Sequence, residues 1–271
     1  MRIALCFSGY IRDLEETKNF WTELIKKYNI DVYASFWDTE NVELGDTLEN
    51  FVNIYNAKKI EVESFSIYKQ STQDIASMNV LENDELPPVL KESSKAFWVL
   101  PMYYKVWKCN LLSKTTNIKY DLVIRARTDI VLDERFEIVN NDMLNVPMGF
   151  NSYTKFPHSN GINDCFAYAN PKIMDYYSFI YLQLMEYLKD GHYIFPPEHL
   201  LSVHFTKIRV QVRSFPNYMM ITRTSKGTTH EIYNHFVKKP AETILWSDAY
   251  QFTPDPVGNF KKDIKNDFLI Q

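Results

Sequence analysis

Residues 120–129 read YDLVIRARTD, and this short apolar run with a charged end carries the strongest strand signal in the sequence of 271 residues. An apolar run of this length is typical of a strand that is buried on both faces of a parallel sheet. Arg125, Arg127 and Asp129 alternate with other residues, so an extended chain projects all three to one side, directly beyond the apolar run. Two guanidinium groups and a carboxylate on one side suit a diphosphate and its divalent cation, whereas the plainer interpretation is a ladder of surface ion pairs.

The sequence before residue 120 alternates strand and helix patterns. Apolar runs over residues 2–7 and 31–37 predict two buried strands, and apolar residues at helical spacing predict a helix between them. The remaining predictions for this half are a helix over 46–56, a strand over 59–62, a long polar loop over 66–94 and a helix from Pro101 to Leu111. Pro101 is expected in the first turn of its helix, where a missing amide hydrogen costs nothing.

The sequence after Asp129 is less regular. It predicts short strands over 130–132 and 164–169, a helix that ends near Leu188, a helix over 198–205, and a half-exposed strand with Ile208, Val210 and Val212 on one side. Strands that alternate with helices in the first half and antiparallel strands in the second predict an α/β fold with a largely parallel central sheet flanked by helices. We expect one domain over residues 1–271.

Composition excludes several function classes. The formal net charge is −4, with 30 basic and 34 acidic residues mixed along the chain, so the sequence lacks the basic patch of a nucleic-acid-binding protein. The seven glycines form neither of the common Gly-rich phosphate loops, and the zinc-protease and α/β-hydrolase motifs are absent. No apolar stretch approaches the ~20 residues of a membrane span. Three widely separated cysteines predict reduced, buried thiols, and we expect a soluble cytoplasmic protein.

Polar residues also follow the first two predicted strands, which matters because ligands of such sheets bind beyond the carboxyl ends of the strands. Ser8 and Gly9 would let the backbone approach a ligand, and Arg12 offers a fork for a diphosphate, although an ordinary turn explains them equally well. Trp37 and Asp38 could contact a nucleobase or ribose, but a core tryptophan and a helix-capping aspartate are the plainer interpretation.

Two carboxylates in the second half are candidates for acid–base chemistry. Asp164 precedes a predicted strand, and Glu198 opens a predicted helix. Carboxylates at such positions can orient a sugar hydroxyl or remove its proton, whereas the plainer roles are a turn residue and an acid that complements the helix dipole. The spacing of the six histidines does not support a two-histidine metal site, and we take His230 as the histidine that could complete a cation site.

The order of these segments resembles the nucleotide-sugar glycosyltransferases of the GT-A fold, in particular a bacterial and large-DNA-virus group. Members of this group begin with a strand and SGxxR, have Trp-Asp after the second strand, and carry DLVIRxRxD at the metal-site strand. The likeness covers roughly residues 2–205. It implies a GT-A-like single domain, with a nucleotide-sugar-binding half over 1–135 and an acceptor-binding half with the C-terminal tail over 136–271.

The resemblance implies an enzyme that moves a sugar from a nucleoside-diphosphate sugar to a hydroxyl of a glycan or glycoconjugate. It implies that the donor is bound by Ser8, Gly9, Arg12, Trp37, Asp38, Arg125 and Arg127, with Mn²⁺ or Mg²⁺ on Asp129. We expect an inverting transfer with Glu198 as the base, and with Asp164 binding the donor sugar or the acceptor and standing as the alternative base. Retaining chemistry stays open.

This sequence departs from the Asp-x-Asp of that family, because its triplet is Arg127-Thr128-Asp129. The departure leaves metal dependence open: Arg127 could replace part of the charge of the cation, or Asp133 could contribute a second carboxylate. Two rival functions also remain at this point. One is a sugar nucleotidyltransferase, although the first loop lacks the usual Gly and Lys residues, and the other is a non-catalytic carbohydrate- or nucleotide-binding module.

Overall fold

The structure is a computed structural model of the whole chain. It describes residues 1–72, 94–133, 136–147, 161–190, 197–208, 210–215, 219–222, 224–225 and 228–229. The helices in these ranges are α1 (Leu14–Tyr28), α2 (Leu48–Tyr55), α3 (Phe65–Ser71), α4 (Ser94–Lys114), α5 (Pro171–Lys189) and α6 (Pro197–Thr206). A short 3-10 helix spans Val42–Leu44. None of the helices in these ranges is long and apolar enough to cross a membrane.

The strands in the same ranges are β1 (Ile3–Gly9), β2 (Asp31–Trp37), β3 (Lys59–Glu63), β4 (Leu122–Ala126), β5 (Ile130–Leu132), β6 (Leu144–Pro147), β7 (Phe166–Ala169), β8 (Val212–Phe215), β9 (Met219–Ile221), β10 (Thr224–Ser225) and β11 (Thr228–Thr229). Seven of them form one sheet in the order β3-β2-β1-β4-β7-β6-β8. Six of these seven run in one direction, and β7 is antiparallel to both of its neighbours. The predicted α/β fold with a largely parallel sheet and some antiparallel strands is confirmed.

The sheet separates two apolar cores, and β1 contributes to both. Alternate residues of a strand point to opposite faces, so Phe7 faces the core of α1 and α2, while Cys6 faces the core of α4, α5 and α6. On the first face Phe7 packs edge-to-face against Trp21 at 4.9 Å between ring centroids. Burying one such side chain stabilises the fold by about 2 kcal/mol, so the packing on both faces fixes the position of β1.

The chain order reverses between β1 and β4. From β1 the chain proceeds to β2 and β3 on one side, then returns through α4 to place β4 on the other side of β1. The loops that leave β1 and β4 therefore diverge, and this opens a crevice at their carboxyl ends. Such a reversal is where open α/β sheets bind ligands.

Two helix predictions were wrong. The first part of the predicted loop over 66–94 is instead the helix α3. Asp38 stabilises the start of this helix by accepting a hydrogen bond from the Phe65 amide. Residues 73–93 of the predicted loop lie outside the described part of the chain. Helix α4 begins at Ser94, so Pro101 lies inside it and not in its first turn. Leu100 and Tyr103 are buried against the sheet on either side of the proline, and this packing outweighs the roughly 3 kcal/mol that an internal proline costs.

Strand predictions after residue 129 were partly right. The strands over 130–132 and 166–169 are present, but the alternating pattern at Ile208 and Val210 lies before the strand, which begins at Val212. Strand β6 was not predicted, because Asn145 and Pro147 interrupt its four residues and leave no continuous apolar run. Its pairing with β8 is a long-range contact that local sequence does not reveal.

Candidate functional site

A cavity of about 390 Å³ lies at the carboxyl ends of β1, β2 and β4, where the strand order reverses. The described residues that line it are Ser8, Gly9, Tyr10, Arg12, Trp37, Pro101, Met102, Arg125, Arg127 and Asp129. Seven of these were predicted from the sequence as binding or metal residues; the exceptions are Tyr10, Pro101 and Met102. The volume falls in the range of small-molecule sites.

Gly9 shapes the wall of the cavity that follows β1. Its φ of 112° lies in a region that L-residues other than glycine rarely adopt, so glycine is needed here for its conformation. A Cβ at this position would meet no atom within 4 Å, so space is not the constraint. The conformation turns the chain out of β1 and towards Arg12.

Thr128 connects the loop after β1 to the turn after β4. Its buried hydroxyl donates to the Tyr10 carbonyl oxygen at 3.2 Å and accepts from the Arg12 amide at 3.0 Å. Its own carbonyl oxygen accepts from the Thr17 hydroxyl in α1 at 2.8 Å. Thr128 therefore sets the distance between the two loops that carry the arginines, a role that sequence reasoning missed.

Arg125 is the least satisfied polar side chain of the cavity. It is 2% exposed, and among the described residues neither its Nε nor its Nη1 has a hydrogen-bond partner. The Ser8 hydroxyl, also buried and lining the cavity, has none either. A buried guanidinium with unused donors is costly unless a ligand completes it, and the ligand that suits two N–H donors is an anion.

Arg127 and Asp129 form a two-point ion pair in the cavity wall. Nε of Arg127 lies 2.8 Å from Oδ1 of Asp129, and Nη2 lies 2.5 Å from Oδ2. Burial acts to lower the pKa of Arg127, but the charge of Asp129 and other neighbouring groups together raise it above the usual value. Nη1 of Arg12 lies 4.0 Å from Oδ2 of Asp129, so a second guanidinium also faces this carboxylate.

Trp37 and Asp38 make the contacts of a core tryptophan and a helix-capping aspartate, and Trp37 also lines the cavity. Trp37 is 1% exposed, with the Tyr104 ring stacked on it at 5.7 Å and Nζ of Lys105 4.2 Å from its ring centre, so its faces are covered. Asp38 is exposed and accepts from the Phe65 amide at 2.9 Å, which lowers the pKa of its carboxyl. It is not among the described residues that line the cavity.

Tyr10 is a second aromatic residue that lines the cavity besides Trp37. Its ring is half-buried at the cavity wall, in edge contact with Phe65 at 5.6 Å and with the Arg12 guanidinium 4.7 Å from the ring centre. Burial raises the pKa of its hydroxyl to about 12, so the ring stays neutral at physiological pH. Its place between a strand-end glycine and Arg12 is the sequence signal that could have identified it.

Asp164 and Glu198 interact electrostatically beside the arginines. Burial and the charge of Asp164 raise the pKa of Glu198 to about 8, while the charge of Arg127 opposes them. Arg127 is also within electrostatic range of Asp164, and its Nη1 lies 3.8 Å from Sγ of Cys165. The structure thus brings the two predicted catalytic carboxylates to the same end of the sheet as the cavity, with Arg127 between them and Asp129.

Backbone contacts hold this carboxylate pair in place. The buried Tyr103 hydroxyl donates to the Pro197 carbonyl oxygen at 2.9 Å, which connects α4 to the start of α6. The Ile162 amide donates to the Glu198 carbonyl oxygen at 2.9 Å. The side-chain oxygen of Asn163 accepts hydrogen bonds from the Cys165 and Phe166 amides. These bonds fix the turn that contains Asp164. The sequence predicted the helix that contains Tyr103 but not the contact of Tyr103 with the start of α6.

The predicted cation site has one described carboxylate. Both oxygens of Asp129 accept from Arg127, and no group of three or more His, Cys, Asp or Glu side chains that could hold a metal ion occurs among the described residues. His230 lies outside the described residues. The donor set around Asp129 therefore does not fit a hard divalent cation, and binding of Mn²⁺ or Mg²⁺ stays a prediction from the sequence.

The geometry thus places a cavity lined by three arginines next to a pair of carboxyl groups. A comparison with models of known protein families and a search of curated protein sequences both find no match.

Proposed function

We propose that the protein is a glycosyltransferase of the GT-A type that moves a sugar from a nucleoside-diphosphate sugar to a glycan hydroxyl. The observation that carries the proposal is the buried guanidinium of Arg125, whose Nε and Nη1 have no partner among the described residues and which lines the cavity with Arg12 and Arg127. A cavity with three arginines and one carboxylate is positively charged, so it favours an anion that carries more than one negative charge. A diphosphate group meets that requirement.

The arginines have a specific task in this reaction. When the bond between the sugar and the diphosphate breaks, negative charge develops on the phosphate oxygens, and donors already fixed around them stabilise it. Arg125 is held by its burial and Arg127 by Asp129, so neither needs to reorganise during the step. The ring of Tyr10 lies beside Arg12, and we assign it to the nucleobase.

Glu198 is the proposed base. The acceptor oxygen attacks the anomeric carbon, the bond from that carbon to the phosphate oxygen breaks, the proton of the acceptor hydroxyl moves to Glu198, and the electron pair leaves on the diphosphate. With a pKa of about 8, Glu198 accepts a proton more strongly than an ordinary carboxylate. Asp164 raises this pKa, and we assign it to the donor sugar or the acceptor.

We further propose that the protein acts in the cytoplasm. All three cysteines, Cys6, Cys109 and Cys165, are buried free thiols, which agrees with a reducing compartment. The acceptor is a soluble glycan or a glycoconjugate presented at a membrane surface.

A turnover assay tests the proposal. The protein is incubated with UDP-, GDP- and dTDP-sugars and a mixture of oligosaccharide acceptors, and release of the nucleoside diphosphate is measured. Glu198→Gln should bind the donor and lose at least about 100-fold in turnover, because general-base catalysis contributes roughly 10² to 10⁴. The matched control is Glu23→Gln, an exposed glutamate of α1, which should behave as the wild type.

The rival functions give different results in the same assay. If the protein is a non-catalytic binding module, the wild type binds a sugar nucleotide or a glycan but releases no nucleoside diphosphate. A nucleotidyltransferase would release pyrophosphate from a nucleoside triphosphate and a sugar 1-phosphate. Either result contradicts the proposed transferase.

A further inference from the structure

We infer that the cavity binds the diphosphate group without a divalent cation, with the Arg127–Asp129 pair in the place that a metal and its carboxylate ligand would take. The inference rests on the proposed function, because it concerns how the same cavity holds the same donor. It also accounts for the Arg-Thr-Asp triplet at positions 127–129.

The first support is the occupancy of Asp129. The residue is 1% exposed, and each of its carboxylate oxygens accepts a hydrogen bond from Arg127, with Arg12 4.0 Å from one of them. A cation on the remaining lone pairs of these oxygens would lie beside the Arg127 guanidinium, and a cation in its place would displace it. The displaced guanidinium, whose side chain is 19% exposed, would then lie next to a dication in a largely desolvated wall.

The second support is the lack of a second carboxylate among the described residues that line the cavity. Mn²⁺ and Mg²⁺ bind several oxygen ligands, with one or two carboxylates in sites that also hold substrate phosphates. The one carboxylate among the described residues that line the cavity is Asp129. Arg12, Arg125 and Arg127 line the same space, and their charges repel a cation that approaches from the cavity.

The third support is the charge that the cavity already carries. The three guanidinium groups and the one carboxylate that line it have a formal sum of plus two, which equals the charge of the cation they would replace. This charge is distributed over N–H donors, and such donors suit phosphate oxygens in bidentate contacts. Asp129 uses two of the five N–H groups of Arg127 and the Cys165 sulfur faces a third, so two remain.

Asp129 is therefore a positioning residue. It fixes the plane of the Arg127 guanidinium so that its remaining donors have one orientation, and it does not contact the ligand as a metal ligand would. An amide at the same position can still accept one of the two hydrogen bonds. The conservative variant Asp129→Asn should consequently preserve most of the binding that a metal ligand would lose.

The decisive experiment uses the wild-type full-length chain. It is titrated calorimetrically with the free nucleoside diphosphates UDP, GDP and dTDP, once in EDTA and once in excess Mn²⁺, and binding of Mn²⁺ alone is followed by electron paramagnetic resonance. We expect one nucleoside diphosphate to bind with dissociation constants that agree within about threefold between the two conditions. We expect no binding of Mn²⁺ alone at micromolar concentration.

Two variants separate the role of Arg127 from that of a metal. In EDTA, Arg127→Met should weaken binding at least about tenfold, whereas Asp129→Asn should weaken it less than about tenfold. The matched control is Arg2→Gln, because Arg2 is exposed at the opposite, amino end of β1. Circular dichroism on each variant establishes that it is folded before its titration is compared.

The outcomes distinguish this inference from the proposed function. Binding that requires Mn²⁺, or that Asp129→Asn abolishes in Mn²⁺, overturns metal-free binding and leaves the glycosyltransferase proposal intact. Absence of binding by every nucleoside diphosphate in both conditions overturns the proposed donor site, and the inference with it. Equal binding in EDTA and Mn²⁺ supports both.

Discussion

Arg125 and Arg127 line one cavity, yet Arg127 is paired at two points with Asp129 while Arg125 retains two donors without a partner among the described residues. The two side chains have the same chemistry and lie two positions apart. Because their partners differ, burial of the two guanidinium groups costs different amounts of free energy in the ligand-free protein. Arg127 is part of the stability of the fold, whereas Arg125 is held ready for a ligand at the expense of stability.

Substitution of these two arginines should change stability in opposite directions. Arg125→Met removes a buried group with unused donors, so the free energy of unfolding should rise by about 1 to 3 kcal/mol. Arg127→Met leaves the buried Asp129 without its main partner, so the free energy of unfolding should fall by roughly 2 to 3 kcal/mol. This loss is smaller than for a fully buried ion pair, because the Arg127 side chain is 19% exposed to solvent. Urea unfolding of both variants at 25 °C measures the difference. A loss of stability in Arg125→Met would contradict the idea that its donors are unused.

Gly9→Ala should impair binding and stability together. The positive φ at this position opposes a side chain, so the variant should lose about 1 to 3 kcal/mol of unfolding free energy and move the loop that carries Arg12. Gly45→Ala is the matched control, because Gly45 also has a positive φ, of 74°, and does not line the cavity. Both variants should be destabilised in thermal unfolding, and only Gly9→Ala should lose nucleotide binding in calorimetry. Equal binding by both variants would count against the role of the β1 loop.

Turnover should increase with pH up to about pH 8. Glu198 has a pKa raised to about 8 by burial and by Asp164, so it is mostly protonated at pH 7 and ionises as the pH passes 8. A base acts in its ionised form, so kcat/KM should rise roughly tenfold from pH 6 to pH 7 and level off above pH 8. A flat profile between pH 6 and pH 8 would show that Glu198 is not the base. Because glutamine resembles the protonated acid, Glu198→Gln should stay folded at pH 7.

Stability should fall when the pH is lowered from about 6.5 to about 4, because of a histidine outside the site. His204 is fully buried, stacked on Tyr176 at 4.1 Å, and its Nε2 lies 2.7 Å from the Tyr176 carbonyl oxygen. A carbonyl only accepts, so Nε2 carries the proton and Nδ1 accepts from the Tyr187 hydroxyl at 2.6 Å.

Burial lowers the pKa of His204 to about 4, whereas the unfolded chain takes up this proton near pH 6.5. The unfolded state binds more protons in this interval, so lowering the pH favours it, by at most roughly 3 kcal/mol. His204→Gln should lose this contribution to the slope of stability against pH in urea unfolding between pH 7 and pH 4. An unchanged slope would mean that His204 is not buried in its neutral form.

Much of the sheet and part of the site could be predicted from the sequence. Continuous apolar runs predicted β1, β2 and β4, because a strand that is buried on both faces of a sheet needs apolar side chains on both faces. Residues directly beyond these runs, such as Ser8 and Arg127, had to lie at one edge if the strands were parallel. Arg125, Arg127 and Asp129 do line one cavity as predicted, but the predicted reason was wrong, because the chain turns after Ala126 and is not extended there.

The remaining features depend on contacts between distant segments. The Arg127–Asp129 pair forms only because the chain turns at Thr128, and that turn is held by Arg12 and Thr17. Trp37 is covered by α3 and α4, whose positions the local sequence does not give, so its burial could not be predicted, and its contact with a nucleobase stays a prediction. Tyr10 was visible as an aromatic residue at a strand end, but its exposure could not be judged before the packing was known.

The proposed function requires that the arginine cavity hold the diphosphate of a nucleotide sugar. Calorimetric titration of the wild type and Arg125→Met with UDP-, GDP-, dTDP- and CMP-sugars tests it most directly, because CMP-sugars carry one phosphate and the others carry two. We predict that one nucleoside-diphosphate sugar binds the wild type with one site, that the CMP-sugar does not, and that Arg125→Met weakens binding at least about tenfold. If none of the four binds, or if Arg125→Met binds as tightly as the wild type, the account is contradicted.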